Sequence, residues 1–120
     1  MRALDSFAWI EYFAGSKKGE KVRGYIEGGE PLYTPAVCLT EIKWRYLREG
    51  RDPADEIDFI TERSLITPLN GDTALLAADI KQKHRLHTID AIIYASSQMK
   101  KQTLVTGDQH FKGLPGVEMI

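Results

Sequence analysis

Four acidic residues differ from most other acids of the chain because they do not lie among charged neighbours on a helix surface. They are Asp5, Glu41, Asp90 and Asp108. Asp5 and Asp108 each follow a short apolar run of strand type, and Asp90 lies in a helical segment that is apolar on nearly every side. A buried carboxylate without a partner is costly, and a shared cation would remove that cost. Carboxylate oxygens are ligands that Mg²⁺ and Mn²⁺ prefer, so the four acids together predict a magnesium or manganese site.

Each of these acids also has a purely structural interpretation. Asp5 could cap a helix, and Asp90 could complement a helix dipole, an effect worth about 0.3–1 kcal/mol. Glu41 could pair with Arg45, and Asp108 could be an ordinary turn residue. Taken singly, each structural interpretation is the better one. It is the occurrence of four such acids in one short chain that favours a shared site.

Two hydroxyl groups and an imidazole lie near these acids in the sequence. Thr106 and Ser6 could orient a carboxylate or a water molecule at the site. His110 follows two residues after Asp108 and is expected to be a loop residue rather than a ligand. The basic residues form three clusters on helix faces that we expect to be solvated, and Arg45 is the first candidate among them for a phosphate contact.

The elements that must carry these residues alternate between strand and helix patterns. Short strand patterns occur near residues 1–4, 31–34, 64–69, 103–105 and 117–120. The segments between them have helical spacing, and Asp72, Thr73 and Thr88 are predicted to cap two of the helices. This alternation predicts an α/β fold with a mostly parallel sheet covered by helices. Ligand sites in such sheets form beyond the carboxyl ends of the strands, where Asp5 and Asp108 would meet if their strands are neighbours.

Length and composition limit the class of protein. A chain of 120 residues, 42% hydrophobic and 28% charged, predicts one globular domain over residues 1–120. The single cysteine, Cys38, excludes an intrachain disulfide, and we recognise no signal peptide or membrane span, so a cytoplasmic location is expected. The net charge is −1, which is too low for a generic polyanion binder. Any contact with nucleic acid must therefore depend on a local basic patch or on metal ions.

Four segments, in their order and at their separations, closely resemble PIN-domain ribonucleases. They are LDSFAWIEYF, TEI, HTIDAIIYASS and LVTGDQHF. The nearest group is the VapC-type toxins of toxin–antitoxin pairs. The resemblance implies a three-layer α/β/α sandwich with a central, mostly parallel sheet. It also implies Mg²⁺- or Mn²⁺-dependent endonucleolytic cleavage of RNA by a homodimer that a cognate antitoxin binds.

The resemblance carries over to individual positions of this chain. It implies an acidic, metal-binding catalytic site made of Asp5, Glu41, Asp90 and Asp108, and Thr106 matches a frequent Thr or Ser of the family. Two positions depart from the pattern. Ser6 stands where the family usually has Thr, and His110 stands where some members carry a further acid. A core of three acids with a weaker fourth member is therefore one of the expectations.

Three other functions make different demands on the residues. A phospho-accepting receiver domain needs paired acids after its first strand and an acceptor Asp after its third, whereas this chain has only Asp5 and then Asn70. A haloacid-dehalogenase-type phosphatase needs Asp-x-Asp, and Asp5 is followed by Ser6-Phe7. A catalytically silent PIN-like binding module stays open, since acid clusters can persist without activity.

Overall fold

A five-stranded sheet forms the centre of the computed structural model, which describes residues Met1–Ile120. Its strands are β1 (Arg2–Leu4), β2 (Leu32–Pro35), β3 (Leu65–Thr67), β4 (Thr103–Thr106) and β5 (Val117–Met119). They lie in the order β3-β2-β1-β4-β5, and every neighbouring pair is parallel. The predicted parallel sheet is thus confirmed, and so is the pairing of the strands that precede Asp5 and Asp108.

Six helices connect the strands. They are α1 (Ser6–Ala14), α2 (Lys17–Glu27), α3 (Ala36–Arg48), α4 (Ala54–Arg63), α5 (Gly71–His84) and α6 (Thr88–Met99). A single 3₁₀ turn, Gln109–Phe111, follows β4. None of the helices combines the length and the apolar character needed to cross a membrane.

The central strands of the sheet are buried on both faces, which makes the three layers that were predicted. Along β1 and β4, Ala3 and Leu104 point to one core, whereas Leu4 and Val105 point to the other. Helices α5 and α6 cover the first core, and α1, α2 and α4 cover the second. Helix α3 contributes to both, with Cys38 in the first core and other residues in the second. Continuous burial of this kind is typical of parallel strands.

Helix α1 is held against the sheet at the point where the chain leaves β1. The indole N–H of the fully buried Trp9 donates a hydrogen bond of 3.0 Å to the hydroxyl of Thr34 in β2. The α1–α2 contact is close as well, since a Cβ on Gly19 would lie 2.2 Å from the carbonyl oxygen of Glu11. These contacts hold α1 against the sheet and against α2, and Asp5 and Ser6 lie at the N-terminal end of this helix.

Two predicted helix caps are wrong. Helix α5 begins two or three residues earlier than expected, because the side chain of Asn70 accepts the backbone N–H of Thr73 at 2.9 Å. Asp72 and Thr73 therefore lie within the first turn and do not cap it. Helix α6 begins at Thr88 itself, its N-cap is His87, and no side chain caps it.

Candidate metal centre

Asp5 lies between β1 and α1 and belongs to both the fold and the candidate site. It is 2% exposed and is the N-cap of α1, with Oδ1 accepting the backbone N–H of Ala8 at 2.9 Å. Its second oxygen accepts a hydrogen bond from the hydroxyl of Thr106. The structural interpretation of Asp5 as a cap is therefore confirmed. A carboxylate has about four lone-pair sites, so these two bonds leave it able to bind a cation.

Thr106 connects two of the predicted acids. The register of the sheet pairs Leu4 with Val105, which places the next residues, Asp5 and Thr106, side by side. The buried hydroxyl of Thr106 donates to Asp5 and accepts the backbone N–H of Asp108 at 3.0 Å. Thr106 thus orients Asp5 directly and fixes the backbone that carries Asp108.

Position 107, between Thr106 and Asp108, has no room for a side chain unless the ring of Phe7 moves. A Cβ there would lie 2.2 Å from Cε1 of Phe7, whose ring packs against the backbone of this turn. The glycine lets α1 approach the end of β4. The Thr-Gly-Asp sequence therefore combines an orienting hydroxyl, a close packing contact and a carboxylate within three residues.

Glu41 lies on α3 close to the other predicted acids, and we call the group of Asp5, Glu41, Asp90 and Asp108 the acidic cleft. Its Oε1 accepts a hydrogen bond of 2.8 Å from the hydroxyl of Ser6, so α1 orients it. The alternative pairing of Glu41 with Arg45 is not found, because Arg45 donates to Glu49 at 3.0 Å instead. Burial raises the pKa of Glu41, and the charges of Asp90 and Asp108 raise it further.

Asp90, Asp108 and His110 form the tightest group of the cleft. The Nδ1 atom of His110 lies 2.7 Å from Oδ1 of Asp108 and 4.0 Å from Oδ2 of Asp90. One ligand atom from each of the three residues falls within 4.8 Å of the other two. His110 lies in the 3₁₀ turn and is exposed, as a loop residue would be, yet its ring faces the acids.

The proximity of His110 was missed at the level of sequence. The signal that could have found it is its separation of two residues from Asp108. The side chain of Asp108 accepts the backbone N–H of His110 at 2.9 Å, which is common local chemistry for Asp in a turn. The same bond brings the imidazole back over the carboxylate.

The pKa values of Asp5, Glu41 and Asp90 are each raised by burial and by the charge of at least one other acid of this group. Desolvation raises the pKa of Asp5 from its ordinary value of 3.8 to about 7, and the charges of Asp108 and Glu41 add to the effect. Burial also raises the pKa of Asp90, with Asp108 as the next cause. A site in which carboxylates raise one another's pKa values is short of positive charge. A cation would supply that charge.

The set of donor atoms fits a divalent cation that prefers oxygen. Asp90 and Asp108 offer carboxylate oxygens close to each other, and Asp5 and Glu41 offer more from the adjoining strand end and helix. Such sets suit Mg²⁺ or Mn²⁺. Cys38, also near these acids, is unsuited to nucleophilic chemistry, because burial raises the pKa of its thiol well above the usual range. The roles of the individual acids stay a prediction.

The chain also matches a known protein family. Residues 3–117 match the family model of the PIN domain. No curated protein sequence matches the chain significantly. Among solved structures, the chain resembles a toxin–antitoxin complex from Klebsiella pneumoniae with a TM-score of 0.83 and 19% identity, covering 99% of this chain and 97% of that one.

Two further solved structures have the same fold. VapBC2 from Rickettsia felis, bound to a DNA fragment from its promoter, gives a TM-score of 0.75 at 12% identity, with 99% and 96% of the two chains covered. VapC20 from Mycobacterium tuberculosis, described as a toxin that cleaves the sarcin–ricin loop, gives 0.73 at 15% identity, with 96% and 95% covered. At these identities the likeness establishes the fold alone. Together with the match to the family model over nearly the whole chain, it shows that this protein belongs to the PIN domain family.

Proposed function

We propose that the protein is a Mg²⁺- or Mn²⁺-dependent endoribonuclease. The observation that supports this most is the convergence of Asp5, Glu41, Asp90 and Asp108 on one cleft of a PIN fold. The cleft lies at the carboxyl ends of β1 and β4, where the order of the strands reverses. Ligand sites of open α/β sheets form at this point.

The residues of the cleft divide into ligands and positioning residues. Asp5, Glu41, Asp90 and Asp108 would hold the cation, and a cation held there would lower the pKa of a water molecule and neutralise charge on a phosphate. Thr106 acts through Asp5, whose carboxylate it holds by a hydrogen bond from inside the core. Ser6 does the same for Glu41 at 2.8 Å. Both bonds keep the acids in one orientation before a substrate arrives.

The biological role that we infer is that of the toxin in a type II toxin–antitoxin pair. Its support is the likeness to the toxin–antitoxin complexes of Klebsiella pneumoniae and Rickettsia felis. On this proposal the substrate is RNA in the cytoplasm, the active form is a homodimer, and a cognate antitoxin restrains the nuclease.

A receiver domain is disfavoured by the topology. The doubly wound sheet of receiver proteins has the strand order 2-1-3-4-5, in which the third strand lies beside the first. Here β3 is an edge strand, separated from β1 by β2, and Asn70 follows it. A catalytically silent PIN-like module is the remaining alternative, and only an assay of cleavage separates it from the nuclease.

The test compares two Asp→Asn variants in an RNA cleavage assay with Mg²⁺, Mn²⁺ or EDTA. Asp5→Asn keeps the shape of the side chain but removes its charge, so we expect cleavage to fall by orders of magnitude while the circular dichroism spectrum is unchanged. Asp58→Asn alters an exposed carboxylate on α4 and should cleave at the rate of the parent protein. Equal cleavage by Asp5→Asn and the parent, or undiminished cleavage in EDTA, would contradict the proposal.

A further inference from the structure

Helix α3 exposes a tryptophan next to the acidic cleft. Trp44 is 58% exposed, whereas the other tryptophan of the chain, Trp9, is completely buried. The guanidinium of Arg48 lies 4.5 Å from the centroid of the Trp44 ring. An exposed indole beside a group of acids is a candidate contact for a ligand, because a flat group can stack on its ring.

The tryptophan belongs to a stripe that begins at the candidate metal centre. Glu41, Trp44, Arg45 and Arg48 follow one another at i, i+3, i+4 and i+7, which places them on one face of α3. With a rise of 1.5 Å per residue, Arg48 lies roughly 10 Å along the helix axis from Glu41. The stripe therefore runs away from the acids over about the length of one or two nucleotides.

A cleft joins this stripe to the acidic site. It has a volume of about 210 Å³. Its lining residues are Ser6, Ile10, Glu41, Trp44, Arg45 and Arg48. Ser6 and Glu41 are the hydrogen-bonded pair of the candidate metal centre, so the cleft and the centre share a wall. A ligand chain that crosses the acids can continue into this cleft.

The charge of the cleft suits a polyanion. Arg48 forms no ion pair, and its nearest described partner is the ring of Trp44. Arg45 and Arg51 share a single carboxylate, that of Glu49, at 3.0 and 3.7 Å. Two guanidinium groups therefore share one acid at this end of α3, and Arg48 has no ion pair. The charged residues that line the cleft itself are Arg45, Arg48 and one acid, Glu41. The protein has a net charge of only −1, so this local excess is what could attract a phosphate chain.

We propose that Trp44, Arg45 and Arg48 form a subsite for single-stranded RNA beside the catalytic acids. A base stacks on the indole of Trp44, and the guanidinium groups of Arg45 and Arg48 contact the adjoining phosphates. Stacking accepts any base, since every base has a flat face, so the subsite supplies affinity and position rather than sequence preference. This inference rests on the proposed function, because it names how the same site holds its substrate.

Trp44 offers a direct signal for the test. RNA that stacks on an exposed tryptophan quenches its fluorescence, and the buried Trp9 gives a constant background. We would titrate the full chain with single-stranded oligouridine in EDTA, check by gel that the RNA stays intact, and follow both intrinsic fluorescence and the anisotropy of labelled oligouridine. We expect quenching by RNA in the parent protein.

The variants separate stacking from general surface effects. Trp44→Ala should weaken binding about 5- to 150-fold, which is the range for the loss of one stacked base. Leu47→Ala, which alters an exposed apolar side chain of α3 outside the cleft, should bind like the parent. Arg48→Ala should weaken binding and reduce the slope of affinity against salt by about 0.7, since one phosphate contact is lost. Lys43→Ala removes one charge from the same helix outside the cleft and should have a smaller effect.

Each outcome of these titrations supports or overturns the subsite. No quenching, together with equal affinity for Trp44→Ala and the parent, overturns it and leaves Trp44 free for a protein partner. Equal losses of RNA affinity for Arg48→Ala and Lys43→Ala overturn the subsite as well, because the affinity for RNA would then depend on the overall charge of the protein. If binding depends on Trp44 but no RNA is cleaved with Mn²⁺, the subsite stands and the proposed nuclease activity fails. If RNA is cleaved with Mn²⁺ but Trp44→Ala binds RNA as tightly as the parent, the proposed nuclease activity stands and the subsite fails.

Discussion

The carboxylate of Asp5 serves the fold and the candidate site at once. As the cap of α1 it accepts the N–H of Ala8, and as a member of the acidic cleft it is held by Thr106. The two hydrogen bonds lower its pKa, yet desolvation outweighs them and raises it to about 7. The folded protein without metal therefore holds a proton on Asp5 that the unfolded chain would release near pH 4.

This difference predicts how the stability of the metal-free protein depends on pH. A raised pKa in the folded state gives a stabilisation that is complete below the ordinary pKa of 3.8 and is lost as the pH rises through about 7. The free energy of unfolding in EDTA should thus fall from about pH 4 to pH 7, by at most roughly 1.4 kcal/mol per pH unit from Asp5. Urea unfolding at a series of pH values measures this change in the free energy of unfolding.

The control for that dependence is Asp5→Asn, which cannot titrate. Its one amide oxygen can still accept the N–H of Ala8, whereas its amide nitrogen can only donate toward Thr106. Its stability should vary less with pH than that of the parent, with a remainder from Glu41 and Asp90, whose pKa values are raised as well. Parallel pH profiles for the two proteins would show that Asp5 does not carry the proton.

For individual residues, the sequence identifies the acids of the candidate site but not the side chains that form hydrogen bonds with them. Asp5 and Asp90 can be recognised because they lie in apolar segments, where a buried carboxylate is costly unless it has a partner. The bond from Ser6 to Glu41 and the orientation of the His110 ring depend on side-chain torsions across elements. Those torsions are decided by packing, which composition and spacing do not record.

Among the elements, the strands show why boundaries were predicted less well than types. Each strand has only three or four residues, so a few positions of apolar alternation must distinguish it from a loop. The start of α5 is uncertain for a different reason. Asn70, Asp72 and Thr73 can all cap a helix, and only the extended backbone of Asn70 shows which one does.

The contact between α1 and α2 gives a prediction for a pair of glycines in one helix. At Gly19 an added Cβ would lie 2.2 Å from the backbone oxygen of Glu11, so Gly19→Ala must push the two helices apart. We expect it to destabilise the protein by about 1–3 kcal/mol. At Gly24 nothing lies within 4 Å, so Gly24→Ala should stabilise it by about 0.5–1 kcal/mol through helix propensity.

Urea unfolding followed by circular dichroism compares the two glycine variants directly. Both substitutions add the same methyl group to α2, so the difference between them isolates the contact with α1 from the effect of helix propensity. If Gly19→Ala proved as stable as Gly24→Ala, the close approach of the helices would not be a constraint on this position.

Over the whole molecule, topology gathers acids that lie far apart in the chain. Asp5 and Asp108 are 103 positions apart in the sequence and become neighbours because β1 pairs with β4. Alternating strand and helix patterns predict a parallel sheet, since parallel strands need crossover connections. The same patterns do not give the strand order, because a crossover can pass to either side of the strand it leaves. The expectation that the acids meet came from their surroundings and from their places at strand ends, on the condition that the two strands are neighbours, and the family resemblance implied the same site.

The gathered carboxylates link metal binding to the stability of the whole protein. Burial is the main cause of the raised pKa values of Asp5, Glu41 and Asp90, and repulsion from neighbouring carboxylates raises them further in the absence of a cation. A cation that binds only the folded state stabilises it by about 2.7 kcal/mol at a hundred times its dissociation constant. Removing one carboxylate should relieve the repulsion and weaken the binding together.

Asp90→Asn should therefore melt at a higher temperature than the parent in EDTA, by an amount on the order of 1 kcal/mol of stability. Saturating Mg²⁺ or Mn²⁺ should raise the melting temperature of the parent more than that of Asp90→Asn. Asp58→Asn, which alters an exposed acid away from the cleft, should respond like the parent. Thermal unfolding in EDTA and in each metal measures all three proteins. If Asp90→Asn were less stable than the parent in EDTA and equally stabilised by metal, Asp90 would support the start of α6 rather than hold a cation.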